Sequence, residues 1–179
     1  MDKGQAERLM PLLAEMLAEA GIGWRDLGCI GVGTGPGNFT GVRIAVAAAR
    51  GLALGLGIPA VGVTALEAQV FGVGGVAVSS LDARRGAIYV QVFGLDGQAV
   101  ICDLDSLPVI PMGAACVGFM SEAIAARCGG QVSAAQEPMV VALARIAVSR
   151  RNLGGRPAPF YLRGADAAPP SDPPPVILP

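Results

Sequence analysis

The sequence predicts an α/β fold, and its first half carries the main signal. Two short apolar runs, residues 29–33 and 58–63, are typical of buried strands, and a segment with helical spacing follows each of them. This order is typical of a parallel strand pair joined by a right-handed crossover. Hydrophobic residues make up 53% of the 179 residues and charged residues only 15%, against about 25% in ordinary domains. A well-buried parallel sheet would produce this balance, and so would an apolar face kept for a partner.

A first, amphipathic helix is predicted at residues 3–20, where apolar residues that include Leu9 and Leu13 recur at helical spacing. Gly21 follows this stretch as a C-terminal stop. The apolar stripe is wider than one face of a helix. It therefore fits either a broad core face or a helix that contacts the core on one side and something else on the other.

A second helix is predicted over residues 40–56. It is apolar almost all round, which predicts burial, and its two charges, Arg43 and Arg50, share one face. Gly51 and Gly55 lie four residues apart within it. Because two such glycines let another backbone approach closely, they favour a tight contact with another helix.

The remainder of the chain is predicted to open with strands, because apolar runs there are separated by turns at residues 82–86 and 96–97. Further strand and helix patterns follow. The predicted strands are 76–80, 87–93 and 115–119, and the predicted helices are 66–71, 121–127 and 139–151.

Charge and residue usage argue against several classes of protein. The chain has 13 basic and 14 acidic residues, so it lacks the positive field that supplies most nucleic-acid affinity. Its four cysteines are widely spaced and are expected to be buried, reduced thiols. With no signal segment evident, and with its uncharged stretches broken by Gly and Pro, the chain is expected to be cytoplasmic and to have no membrane span.

Histidine is absent from the sequence. Its absence removes both the commonest general base and the commonest metal ligand. The chain is therefore not expected to be a self-sufficient enzyme, and no catalytic residue or metal ligand is assigned to it.

A Gly-rich loop, GTGPGNFTGVR at residues 33–43, connects the first predicted strand to the second helix. Backbone N–H groups at such a helix start attract anions, so a phosphate cradle is one interpretation. The spacing fits neither a Walker loop nor the dinucleotide-binding pattern. The plain alternative is a tight connection in which Asn38 or Thr40 caps the helix.

The segment GPGNFTGVRI at residues 35–44, followed by RGLA at 50–53, strongly resembles the TsaB (YeaZ) family. Other stretches of the chain agree with that family in the same order, so that the resemblance covers nearly the whole chain. These stretches are ERLMP at 7–11, IP at 58–59 leading to LEA at 66–68, DARRG at 82–86 with Tyr89, and PFYLR at 159–163.

The resemblance implies an actin/Hsp70-like (ASKHA) fold of two related α/β halves. The Gly-rich boundary at 72–75 then predicts an N-terminal subdomain at 1–72 and a C-terminal subdomain at 73–164. The Pro-rich composition of 165–179 predicts a disordered tail. The family begins with a β-hairpin that bears Asp-Thr-Ser, and the chain begins just before the first helix. We expect that hairpin to be missing because of a wrongly assigned start site or a truncation.

The resemblance also implies a function. TsaB proteins work with TsaD, TsaE and TsaC to make threonylcarbamoyladenosine beside the anticodon of tRNA, and TsaB is the non-catalytic partner of TsaD. The chain is therefore expected to be a scaffold subunit that binds TsaD or a second copy of TsaB and meets tRNA only indirectly. No cofactor is expected in the chain alone, although ATP or ADP fits the complex. The candidate partner- or nucleotide-binding residues are Gly35, Gly37, Asn38, Phe39, Thr40, Arg43, Leu9 and Leu13.

Two alternatives stay open at this point. One is a peptidase of the glycoprotease type, to which related sequences were once assigned, although no serine or cysteine stands beside an evident base. The other is a weak nucleotide-binding protein that uses the Gly-rich loop as its anion site.

Overall fold

The fold is described from a computed structural model, which covers residues 5–162, so that the predicted tail at 165–179 lies outside the described residues. The described chain contains five α-helices and seven strands, which confirms the α/β class. In the first half the elements are α1 (Gln5–Glu19), β1 (Ile30–Gly33), α2 (Phe39–Leu56), β2 (Ala60–Val63) and α3 (Ala65–Gln69). The second half adds β3 (Ala77–Asp82), β4 (Ile88–Phe93), β5 (Val100–Cys102), β6 (Ala115–Gly118), α4 (Ser121–Cys128), β7 (Gln131–Val132) and α5 (Met139–Arg150).

The first sheet is the predicted parallel pair of β1 and β2, with Ile30 opposite Ala60. Helix α2 covers one face, where Val46 packs with Val32 of β1. Helix α5 covers the other face and approaches closely at Gly31: a Cβ there would lie 2.8 Å from both the Ala147 Cβ and the Leu143 Cδ2. Glycine is needed at this position because any side chain would push α5 off the sheet.

The second sheet has five strands in the order β5-β4-β3-β6-β7. Strand β3 lies at its centre, antiparallel to β4 and parallel to β6. Its main core cluster combines residues of the central strands with residues of α4. The fully buried members of that cluster are Val78, Ile88, Val90, Cys116 and Ile124.

The predicted burial of α2 is wrong for most of the helix. Only Val46, Ala49 and Ala53 are buried, and Leu54 is 84% exposed. The predicted tight helix contact is also absent among the described residues, because a Cβ at Gly51 or Gly55 would meet no atom within 4 Å. The helix covers its sheet with one face only.

By length and composition, α2 is the single described helix that could cross a membrane. One such helix is weak evidence for a membrane span, and α2 packs on β1 with the face that carries Val46. Arg43 and Arg50 are both exposed along the same helix.

Two of the cysteines lie close together where α4 packs on the second sheet, Cys116 in β6 and Cys128 at the end of α4. The Sγ atoms of Cys116 and Cys128 are 3.9 Å apart, and both cysteines are free thiols. Burial, together with the neighbouring Cys128 thiol, raises the pKa of Cys116 to about 12. Cys116 is therefore held as a neutral thiol in the core, in line with its predicted place there.

Candidate functional site

The Gly-rich loop leaves β1 at Gly33 and enters α2 at Phe39. Gly35 has a φ of 98°, in the region that favours glycine. Asn38 is the helix cap, since its Oδ1 accepts a hydrogen bond from the Gly41 N–H at 2.9 Å. Of the two caps considered from the sequence, the structure therefore selects Asn38.

The segment before Tyr161 packs on the buried part of this loop. The Phe160 N–H donates to the carbonyl of Thr34 at 2.8 Å. A Cβ at Gly35 would lie only 3.3 Å from the carbonyl oxygen of Phe160. Because the protein's own backbone lies against Gly35, this side of the loop has no room for a phosphate. The geometry favours the plain tight connection over the phosphate cradle.

The exposed side of the loop carries a compact cluster formed by Phe39, Arg43 and Tyr161, here called the arginine cluster. The Arg43 Nε donates to the Tyr161 hydroxyl at 2.7 Å. The Arg43 Cζ lies 3.8 Å from the ring centroid of Phe39 and 5.6 Å from that of Tyr161. The two ring centroids are 4.9 Å apart. Stacking on the ring faces holds the guanidinium in place.

Arg43 keeps its two Nη groups free within this cluster. Its Nη1 and Nη2 groups have no hydrogen-bond partner in residues 5–162, and no acidic side chain of that range pairs with it. Phe39 and Tyr161 are 37% and 44% exposed. A planar fork of free donors beside two exposed rings is suited to a bidentate contact with a carboxylate.

Helix α1 presents a second surface. Leu9 and Leu13 lie one turn apart on the same face and are half-buried, as are Leu12 and Leu17. None of the described side chains of α1, residues 6–19, is buried. Its opposite side is polar and is crossed by an ion pair of Arg8 with Glu15. The broad core face is therefore the wrong interpretation of its stripe within the described part of the chain.

The structure brings together only some of the candidate residues. Phe39 and Arg43 share the arginine cluster, while Asn38 and Gly35 shape the loop that leads into it. Gly37 and Thr40 are exposed beside the cap. Leu9 and Leu13 form a separate surface on α1, and no packed cluster of the described residues joins them to Arg43.

Sequence reasoning did not select Tyr161 as a site residue, although it fixes Arg43 from 118 residues away. The only signal for it was its place in the PFYLR stretch of the family resemblance. Among residues 5–162, no group of three or more Cys, Asp or Glu side chains could hold a metal ion.

Comparison with known proteins supports the family resemblance independently of the quoted motifs. A family model described as "TsaD: tRNA N6-adenosine threonylcarbamoyltransferase" matches residues 2–103, more than half of the chain. The tRNA threonylcarbamoyladenosine biosynthesis protein TsaB of Escherichia coli K12 is 38% identical over 99 residues, which cover 52% of this chain and 43% of that protein. TsaB of Bacillus subtilis 168 is 35% identical over 96 residues, with 52% and 42% covered. The chain thus spans about two fifths of the length of these curated relatives.

Two solved structures from Pseudomonas aeruginosa have the same fold over most of their length. A protein described as having similarity to peptidase YEAZ gives a TM-score of 0.69 at 26% identity, over 91% of this chain and 86% of that one. YeaZ itself gives 0.68 at 27% identity, over 88% and 84%. With the matching family model and these relatives, the chain belongs to the TsaB (YeaZ) family.

Proposed function

We propose that this chain is a non-catalytic scaffold subunit that binds TsaD in the pathway that makes threonylcarbamoyladenosine in tRNA. The observation that carries the proposal is the pairing of family membership with the apolar stripe of α1, whose leucines are only half-buried. A helix whose apolar stripe stays partly exposed gains stability when a partner covers it.

The stripe offers enough apolar surface for this role. Fully burying an exposed leucine side chain contributes about 1.5 to 3 kcal/mol. Four half-buried leucines lie along α1, so that covering their remaining surface would contribute about half of this value for each. The arginine cluster adds a specific polar contact, because its free Nη groups can receive a carboxylate of TsaD. The apolar area of α1 would then supply most of the affinity for TsaD, and Arg43 would fix the orientation of the two proteins.

We infer the finer features of the protein from the same family. The actin/Hsp70-like arrangement is supported by two sheets flanked by helices and by the likeness to YeaZ. TsaE would join the complex, a second copy of the chain would compete for the TsaD surface, and tRNA would be met only through the complex. A cytoplasmic location would follow from the protein's role in modifying tRNA. ATP or ADP would bind in the complex rather than to this chain alone, since the chain's own backbone covers Gly35.

Co-purification with TsaD tests this proposal. The chain and TsaD are expected to elute together from a size-exclusion column, both with and without ATP. An Arg43→Ala variant should bind TsaD about tenfold more weakly in a calorimetric titration, because it loses charge-assisted hydrogen bonds. Arg151→Ala, which removes an exposed arginine at the end of α5, is the matched control and should bind normally.

Separate elution of the two proteins at micromolar concentration would contradict the scaffold role. An equal loss of affinity in Arg43→Ala and Arg151→Ala would show instead that Arg43 contributes only to the overall charge of the chain and makes no specific contact.

A further inference from the structure

Strand β2 has a free edge in the described structure, because its sole sheet neighbour is β1. The carbonyls of Pro59 and Val63 accept hydrogen bonds from β1 and from Thr34 beyond it. Since backbone groups alternate along a strand, the N–H and C=O groups of Ala60 and Gly62 point to the opposite edge. Such an edge is able to pair with another extended chain.

An open groove runs beside this edge. One cavity of about 510 Å³ lies between the end of α2 and β2, and a second of about 630 Å³ lies between β2 and residues 153–160. The two cavities are adjacent, because Ala60 and residues 155–157 contribute to the walls of both, and together they are here called the edge groove.

The far wall of the edge groove is formed by the sequence RPAP at residues 156–159. In the described structure none of these four residues makes a backbone hydrogen bond to β2. Pro157 packs instead over Gly62, where a Cβ would lie 3.1 Å from the proline Cβ. The β2 edge is thus unpaired in the described structure and open to an extended ligand.

The charge of the groove is of one sign. Arg50, Arg150 and Arg156 line it, and no Asp or Glu is among its lining residues. Arg150 is held by an ion pair with Glu67. Arg50 and Arg156 have no ion-pair partner among residues 5–162. Two free guanidinium groups therefore flank the β2 edge.

We propose that the edge groove binds an acidic, extended peptide of a partner protein, which pairs with β2 as an added strand and places carboxylates on Arg50 and Arg156. Backbone pairing explains the open Ala60–Gly62 edge, and alternating side chains reach the groove walls. The low net charge of the chain, −1, argues against nucleic acid as the ligand. The site goes beyond the scaffold role, because none of its residues belongs to the arginine cluster or to α1.

Fluorescence anisotropy with labelled eight-residue peptides tests the proposal on the full chain. The probe alternates Glu with Val and is expected to bind, while a Lys-Val peptide of the same length is not. A Glu-Val peptide that is N-methylated at every residue keeps the charges but has no backbone N–H donor for either edge, so it should bind at least about tenfold more weakly. The double variant Arg50→Ala/Arg156→Ala should weaken the Glu-Val probe about tenfold or more.

The double variant Arg84→Ala/Arg85→Ala is the matched control, because it removes two exposed arginines from the β3–β4 turn. Its affinity for the Glu-Val probe should stay within about twofold of that of the wild type. The proposal is overturned if the Glu-Val probe shows no binding up to about 1 mM, or if the two double variants behave alike. It is equally overturned if single-stranded RNA displaces the probe more effectively than the unlabelled peptide does. None of these outcomes depends on TsaD, so failure here is distinguishable from failure of the scaffold role.

Discussion

Replacing Leu13 by aspartate is expected to weaken the binding of TsaD by about 100-fold or more. The substitution removes a half-buried leucine, whose remaining burial contributes about half of the 1.5 to 3 kcal/mol of a fully buried one, and places an unpaired carboxylate in an apolar contact at a cost of about 1 to 3 kcal/mol. A loss of about 3 kcal/mol corresponds to more than 100-fold in the dissociation constant. Because Leu13 is only half-buried and α1 buries no described side chain, the fold of the free chain should survive.

Titration calorimetry with TsaD measures this effect, and Ala18→Asp is the control. Ala18 is exposed and lies two and a half turns from Leu9, on the side of α1 away from the stripe. The Ala18→Asp variant adds the same charge to the same helix, and its affinity for TsaD should stay within about threefold of that of the wild type. Equal weakening by both variants would argue that helix charge, rather than the apolar stripe, controls binding.

Gly118→Ala is expected to lower the free energy of unfolding by about 3 kcal/mol or more. Gly118 ends β6 with a φ of 106°, which side chains rarely adopt. A Cβ there would overlap the carbonyl oxygen of Ser80 and lie 2.5 Å from the Gln69 side-chain nitrogen. That carbonyl already accepts the Phe119 N–H at 2.9 Å, so the junction of β3 and β6 has little freedom to adjust.

Urea denaturation followed by circular dichroism checks this value against Gly113→Ala. Gly113 also has a positive φ, 79°, but a Cβ there meets no atom within 4 Å. Only backbone strain applies, and it should cost about 1 kcal/mol. An equal decrease in the free energy of unfolding for Gly118→Ala and Gly113→Ala would show that the overlap with Ser80 does not destabilise the fold.

Local patterns predicted the elements whose signals lie within one segment. The apolar runs and the glycine loop identified β1, α2 and β2, and the hairpin turn identified β3 and β4. Strands β5 and β7 escaped prediction because three and two residues are too few to show a period. The predicted burial of α2 failed because composition describes the helix itself and not which of its sides has neighbours.

The candidate site divides in the same way. Arg43 and Phe39 could be selected because they lie in one conspicuous segment, and Asn38 because caps follow local rules. Tyr161 and the wall formed by Arg156 could not, because each depends on a contact across more than 90 residues of chain. The periodicity of apolar residues in the sequence does not indicate such long-range contacts, because they form only when the chain folds.

Amide hydrogen exchange of this chain with and without TsaD tests the scaffold role most directly. We predict slower exchange on adding TsaD in α1, residues 5–19, and in the first turns of α2 around Arg43. Exchange in β5, α4 and β7 should stay unchanged. Protection confined to those three elements, or no protection at saturating TsaD, would contradict the account.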